Sequence, residues 1–251
     1  MPNLLICNMY YMGRENICKI LILSLFFILV GVNIIYPGEF KKNQLEYSRV
    51  REAYAEKEEL IRRFFEAQNI AYPSVNIFIR AFKYEQLLEL WAWSETDSLY
   101  KLIKSYNICV LSGELGPKRR KGDFQIPEGF YYINLFNPMS KFHLSMQLNY
   151  PNESDRILSD KNKPGGLIFI HGNCVTIGCI PIRDEYIKEL YIAAVEAKDN
   201  GQEKIPVHIF PCRMDSIRLN KIKSISPGKS KHQFWDNLEP IYKYFEENKQ
   251  L

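Results

Sequence analysis

No internal repeat and no low-complexity segment interrupts this 251-residue chain, which sets aside repeat arrays and linker-like sequences. RNP-type, zinc-finger and helix-turn-helix patterns are missing as well. Charge of one sign is not in excess, with 33 basic against 29 acidic residues and a net charge of +4. The one dense basic run, Lys118-Arg119-Arg120-Lys121, is too short for a nucleic-acid footprint and reads as a solvated loop, so no nucleic-acid partner is expected. No C-x2-C pair exists from which to build an ordinary zinc framework. No A-x-A-like cleavage site and no cysteine sit just after the long apolar run near the N-terminus, so neither signal cleavage nor lipoprotein-type lipid attachment is indicated.

With 46% hydrophobic and 14% aromatic residues, the chain has enough apolar surface for a full core and one main domain. From Ile20 to Tyr36 it carries no charge and is rich in Leu, Ile, Phe and Val, after Arg14 and Lys19. This stretch is apolar on every side, unlike a surface helix, and reads as an uncleaved anchor or export signal over residues 1–40. The preceding positive charges place the N-terminus inside and everything after Phe40 outside, in an oxidising compartment where disulfides persist.

Beyond the apolar run, Val50, Tyr54, Ile61, Phe64 and Phe65 fall at helical spacing among Glu, Lys and Arg, an amphipathic helix that suggests a stalk over 41–73. Strands are expected at Val75–Phe82, Leu87–Trp93, Ile108–Ser112, Phe130–Phe136 and Phe142–Leu148, with Asn137-Pro138 as a turn signal. The apolar run Leu167–Ile170 reads as a buried strand that delivers His171 at its end. Asp184 is expected to cap a helix with Ile187, Leu190, Tyr191 and Ala194 on one face and Asn200-Gly201 at its end. Val207–Phe210 adds a strand. A helix from Gln233 onward carries Phe234, Leu238, Ile241, Tyr242 and Phe245, with Pro240 as a kink. These elements divide the rest of the chain into a core domain over 74–213 and a helical extension over 214–251. Together they define a mainly β domain with packed helices, an α+β class.

Chemistry concentrates in nine residues, His171-Gly172-Asn173-Cys174-Val175-Thr176-Ile177-Gly178-Cys179. Two glycines let the backbone approach a ligand closely and aim N–H groups at one point. A cysteine after glycine, with a histidine near enough to take its proton, outlines acyl-transfer machinery. Other readings stay open on spacing alone. His171, Cys174 and Cys179 are three zinc ligands if Cys109, His208 or Cys212 supplies a fourth. Two of the exported cysteines, Cys109 and Cys174 above all, can form a disulfide that leaves Cys179 free. Either cysteine can also be a small buried hydrophobe. His143 and His208 lie in expected strands and read as structural, and Asp123 and Glu128 as turn formers.

His171-Gly172 followed by Thr176-Ile177-Gly178-Cys179 resembles the signature of the L,D-transpeptidase catalytic domain, the YkuD-like family, in which His-Gly precedes Ser/Thr-x-Gly-Cys. Ser112-Gly113-Glu114-Leu115-Gly116-Pro117-Lys118, Tyr150-Pro151-Asn152, Val207-His208-Ile209-Phe210-Pro211 and Phe234-Trp235 resemble its YafK-like, murein-active branch. The resemblance implies a YkuD-like β-sandwich or barrel domain. It implies Cys179 as the thiolate nucleophile, His171 as its base and later acid, and the Gly172 carbonyl as the group orienting the imidazole. The N–H groups of Gly178 and Cys179 would form the oxyanion hole, with Thr176 and Asn173 beside the substrate. The substrate implied is a peptidoglycan tetrapeptide stem, acylated onto Cys179 without metal or organic cofactor. The expected place is the periplasm of a Gram-negative cell, at the inner membrane. Hydrolysis that releases wall-attached lipoprotein by the same mechanism, or a silent wall-binding scaffold, are the alternatives. The chain departs from the commoner signature in having Ile177 before Gly-Cys and Pro181 where an arginine can bind a substrate carboxylate.

Overall fold

The computed structural model describes residues 38–251 apart from 74, 95 and 97. The apolar run Ile20–Tyr36, and with it all but the last three residues of the expected anchor over 1–40, lies outside the described residues; among those described, no helix is long and apolar enough to cross a membrane.

Two helices come first, α1 (Glu39–Leu45) and α2 (Ser48–Glu66), then β1 (Ile77–Phe82), β2 (Leu87–Ser94), β3 (Leu99–Asn107), β4 (Gly129–Asn137) and β5 (Ser145–Leu148). A short α3 (Glu153–Leu158), β6 (Phe169–His171), β7 (Ile180–Pro181), α4 (Asp184–Asp199), β8 (Pro206–Phe210), α5 (Ser216–Ile225) and α6 (Lys229–Asn248) follow. The strands form one mixed sheet in the order β3-β2-β1-β8-β4-β5-β6-β7. Two neighbouring pairs, β1 with β8 and β6 with β7, are parallel, and the other pairings are antiparallel.

The central strand β1 shows how the sequence divides the core. Its side chains alternate between faces: Ile77, Ile79 and Ala81 enter one core with α2 and α4, while Phe78 and Phe82 face the aromatic side chains of α6. Covered on both sides, β1 is buried along its whole length. Its one charge, Arg80, is neutralised by Glu89 at 2.8 Å and Glu246 at 2.7 Å, as a buried ion must be.

Helix α4 packs on the first of these faces and is buried from Ile187 through Ala197, not along a single stripe. Its polar residues are satisfied there: Lys188 by Glu52 and Glu56, Glu189 by Lys104, and Glu196 by the Tyr54 hydroxyl and Lys41. Helix α2 is the amphipathic helix expected as a stalk. It lays Val50, Ala53, Ile61 and Phe65 into the core it shares with α4, so its apolar face is covered by the domain itself. On the opposite side α5 and α6 bury Leu219, Ile222, Trp235, Leu238 and Tyr242. Helix α6 starts at Lys229, earlier than the apolar spacing indicated, and contains Pro240.

The sheet curls into a half-barrel whose two edges meet. Ile108, after β3, bridges Ile182, after β7, and the Cys109 N–H donates to the Pro181 carbonyl at 2.9 Å. A Cys109–Cys174 disulfide ties the same place. The strand expected at Ile108–Ser112 is therefore this short bridge, and the true edge strand is β3. Its Lys101 and Lys104 hid it from the apolar pattern, although charge on an edge strand is the usual guard against edge pairing.

Candidate active site

Parallel strands normally need a long crossover, but β6 and β7 are joined by only the eight residues 172–179 because they pair over just Ile170–Ile180 and His171–Pro181. Cys179 is the last residue of that loop, directly before β7, and sits beside Phe169 of β6. The Phe169 N–H donates to Cys179 Sγ at 3.4 Å and the thiol donates to the Leu167 carbonyl at 3.7 Å. Cys179 is a free thiol, half-buried at the wall of a groove of about 890 Å³. Lys118, Lys121 and Lys163 line that groove together with Phe124, Leu167 and Ile177; the last two are 70% and 76% exposed. Leu167 and Phe124 both have positive φ, +56° and +57°, a strained backbone for bulky side chains of the kind found at functional sites.

His171 is 1% exposed and its ring stacks on Phe142 with centroids 4.7 Å apart. Its Nδ1 is 2.5 Å from the Gly172 carbonyl oxygen. A carbonyl only accepts, so Nδ1 carries the proton and the lone pair of the neutral ring is on Nε2. Burial lowers the His171 pKa below its ordinary 6.5, against the pull of the Gly172 carbonyl. Burial also raises the Cys179 thiol above its ordinary 9.0, opposed by the Phe169 N–H and the charge of Lys118. Both shifts favour the neutral forms, thiol and imidazole, over a thiolate paired with an imidazolium.

The remaining residues of the motif shape the turn. Thr176 Oγ1 donates to the Cys179 carbonyl at 2.8 Å and accepts the Gly178 N–H at 3.1 Å. The Gly178 N–H expected to face an oxyanion is thus already bonded within the loop. Gly178 itself has φ +135°, and a Cβ there would come within 3.1 Å of the Gln125 carbonyl, so the position requires glycine on both counts. Asn173, at φ +61°, accepts the Cys174 N–H on its own Oδ1 at 2.7 Å and serves the turn. Cys174 is engaged with Cys109 and is thereby withdrawn from the zinc set. His208 lies among Phe78, Phe130 and Phe210, the structural role expected.

Three features were not legible in the motif. Lys118, read as part of a solvated loop, is buried; it pairs with Asp123 and donates to the Arg120 carbonyl at 3.0 Å. Glu128, read as a turn former, is a buried anchor that takes the Gly116 N–H, the Trp235 Nε1–H and the Lys83 ammonium. With Lys83 donating to the carbonyls of Glu114, Gly116 and Ile126, this pair fixes the 113–128 segment that walls the groove. Asp184, expected to cap its helix, does not: Arg183 holds the cap position, and the Asp184 carboxylate turns back to the Asn173 N–H at 2.6 Å.

Residues 86–209 match the family model of the L,D-transpeptidase catalytic domain, YkuD. The chain belongs to this family and is an L,D-transpeptidase-type enzyme. It is 35% identical over 175 residues to the protein named "Putative L,D-transpeptidase YafK" from Escherichia coli strain K12, covering 69% of this chain and 68% of that one, and equally similar to its counterpart in strain O157:H7. Among solved structures, the helical cell shape determining protein Pgp2 from Campylobacter jejuni aligns with a TM-score of 0.45 at 18% identity, over 69% of this chain and 71% of that one.

Proposed function

We propose that the protein is a periplasmic cysteine L,D-transpeptidase that carries a peptidoglycan stem peptide as a thioester on Cys179. The observation that supports this most is a free thiol opening to a groove at the end of the short β6–β7 loop, which begins after an imidazole whose tautomer leaves Nε2 as the base. Because both groups rest neutral, the thiolate forms as the substrate carbonyl arrives, with the Cys179 proton passing to His171 Nε2. Attack on the carbonyl carbon gives a tetrahedral oxyanion, and its collapse expels the amine, which takes the proton back from the imidazolium. An incoming amine then completes transfer, or water completes hydrolysis. The Cys179 amide is the proposed oxyanion donor; the Gly178 amide joins it only by giving up Thr176 Oγ1.

The groove suits such a substrate. Lys121 and Lys163 bring positive charge to the groove, with Lys118 already paired to Asp123, where the signature's usual arginine is replaced by Pro181, and stem peptides carry carboxylates. Release of wall-attached lipoprotein by the same steps is the second reading, favoured by the exposed apolar Leu167 and Ile177 at the groove edge. Mass spectrometry of murein digested with the purified protein tests both. New cross-links identify transfer, shortened stems or freed protein identify hydrolysis, and unchanged murein with an intact Cys179 contradicts the proposal.

A further inference from the structure

The Gly172–Asn173 peptide group is held at both ends. Its carbonyl oxygen is 2.5 Å from His171 Nδ1, and its N–H, belonging to Asn173, donates to Asp184 Oδ1 at 2.6 Å. We propose that Asp184 is a positioning residue for His171, acting through this one peptide group: the carboxylate fixes and polarises the peptide whose carbonyl holds the Nδ1–H. The inference rests on reading His171 as the base of Cys179.

A second observation stands behind the geometry. Gly172 does not have the positive φ that would by itself demand glycine. A Cβ there would instead lie 2.6 Å from Asp184 Oδ1, 2.9 Å from the Phe142 carbonyl and 3.0 Å from Ile187 Cγ2. Glycine at this position is what lets the carboxylate reach the loop. Asp184 is also not used as a cap, since its helix takes Arg183 there with no side-chain bond.

The peptide bond is conjugated, so negative charge at its N–H end pushes electron density onto the carbonyl oxygen, and hydrogen bonds in such a chain strengthen one another. The benefit is largest when the ring is an imidazolium, the state reached after Cys179 has given its proton to Nε2. No proton crosses the peptide: Nδ1 keeps its hydrogen, Asn173 keeps its own, and Asp184 remains a carboxylate throughout. The arrangement does for this site what a carboxylate bonded directly to Nδ1 does in a Ser-His-Asp triad, at one peptide's remove.

Other charges face Asp184. His143, in the segment before β5, lies within electrostatic reach of Asp184 and is itself faced by Lys188 of α4 and by Arg49 and Glu52 of α2. Lys188 is engaged by Glu52 and Glu56, and Arg49 by the carbonyls of Ser140 and His143. Lys118 acts on the thiol from the groove side.

The test is an NMR titration of the full chain carrying ¹⁵N-histidine, with His171 assigned by the signals lost in His171→Gln. Asp184→Asn keeps an oxygen to accept the Asn173 N–H and removes only the charge, so the loop is retained; an unchanged melting temperature and an intact Cys109–Cys174 bond check this. In that variant the His171 midpoint is expected to fall by about half a pH unit or more, with the Nδ1–H resonance moving upfield. Turnover of tetrapeptide stems is expected to drop about tenfold in kcat with KM little changed. A His171 midpoint and Nδ1–H resonance identical to wild type in a folded Asp184→Asn protein would overturn the proposal and leave Asp184 a loop anchor. The spectra require no substrate, so they separate the two readings: a protein inert on murein that still shows the shift retains the relay and loses the reaction.

Discussion

The proposed chemistry turns on two neutral side chains. Burial holds His171 below 6.5 and Cys179 above 9.0, so at pH 7 the pair is poised one proton transfer from reactivity. The imidazole must be unprotonated to accept that proton. The kcat/KM profile is therefore expected to lose activity as pH falls through a value below 6.5, and to stay level from there to pH 9. Iodoacetamide alkylation of the free enzyme should report the same pair: its rate on Cys179 is expected to rise with an apparent pKa above 9, measured by adduct mass against pH. A fast, pH-independent alkylation down to pH 5 would show a preformed ion pair instead. His171 and Cys179 stand out in the sequence as candidates because the motif packs both into nine consecutive residues. Asp184 and Lys118 do not. Asp184 reads in sequence as a helix cap, but it is the first helical residue and reaches Asn173 only once α4 folds back on the loop; Lys118 looks solvated until Asp123 and the groove wall enclose it.

At the level of elements, the loop between β6 and β7 is stapled to the opposite edge of the half-barrel by the Cys109–Cys174 disulfide. The bond closes a chain segment with a sequence separation of 65, for which restriction of the unfolded chain contributes about 4 kcal/mol. A Cys109→Ser, Cys174→Ser double variant is accordingly expected to lose about 2–4 kcal/mol in urea unfolding while keeping a titratable Cys179. Equal unfolding midpoints for variant and parent would refute that role. Strands with an apolar, aromatic pattern, such as Ile77–Phe82 and Leu87–Ser94, were readable; β3 was not, since its lysines belong to a sheet edge. Nor did periodicity reveal that α4 is buried all round, because its charged residues are neutralised by partners distant in sequence, Glu52, Lys104 and Lys41.

On the scale of the whole molecule, two cores lie on either side of one curled sheet, and the site occupies the end where the sheet's edges meet. The second core carries a liability in acid. His208, boxed by Phe78, Phe130 and Phe210, is pulled down to about 3 by burial, with Arg80 adding to the effect. Between about pH 6.5 and 3 the unfolded chain binds a proton there that the folded one refuses, so stability falls with pH by at most about 1.4 kcal/mol per unit from this group. His208→Phe is expected to flatten the dependence of unfolding free energy on pH in that window, leaving neutral-pH turnover intact; an unchanged slope would contradict the assignment.

The most direct test of the central claim is the mass of the intact protein, quenched in acid during turnover of tetrapeptide stems. A stem-peptide adduct is expected, mapped by fragmentation to Cys179, labile to hydroxylamine as a thioester is, and absent from Cys179→Ser. Turnover that persists in Cys179→Ser, or an adduct on any other residue, would contradict it.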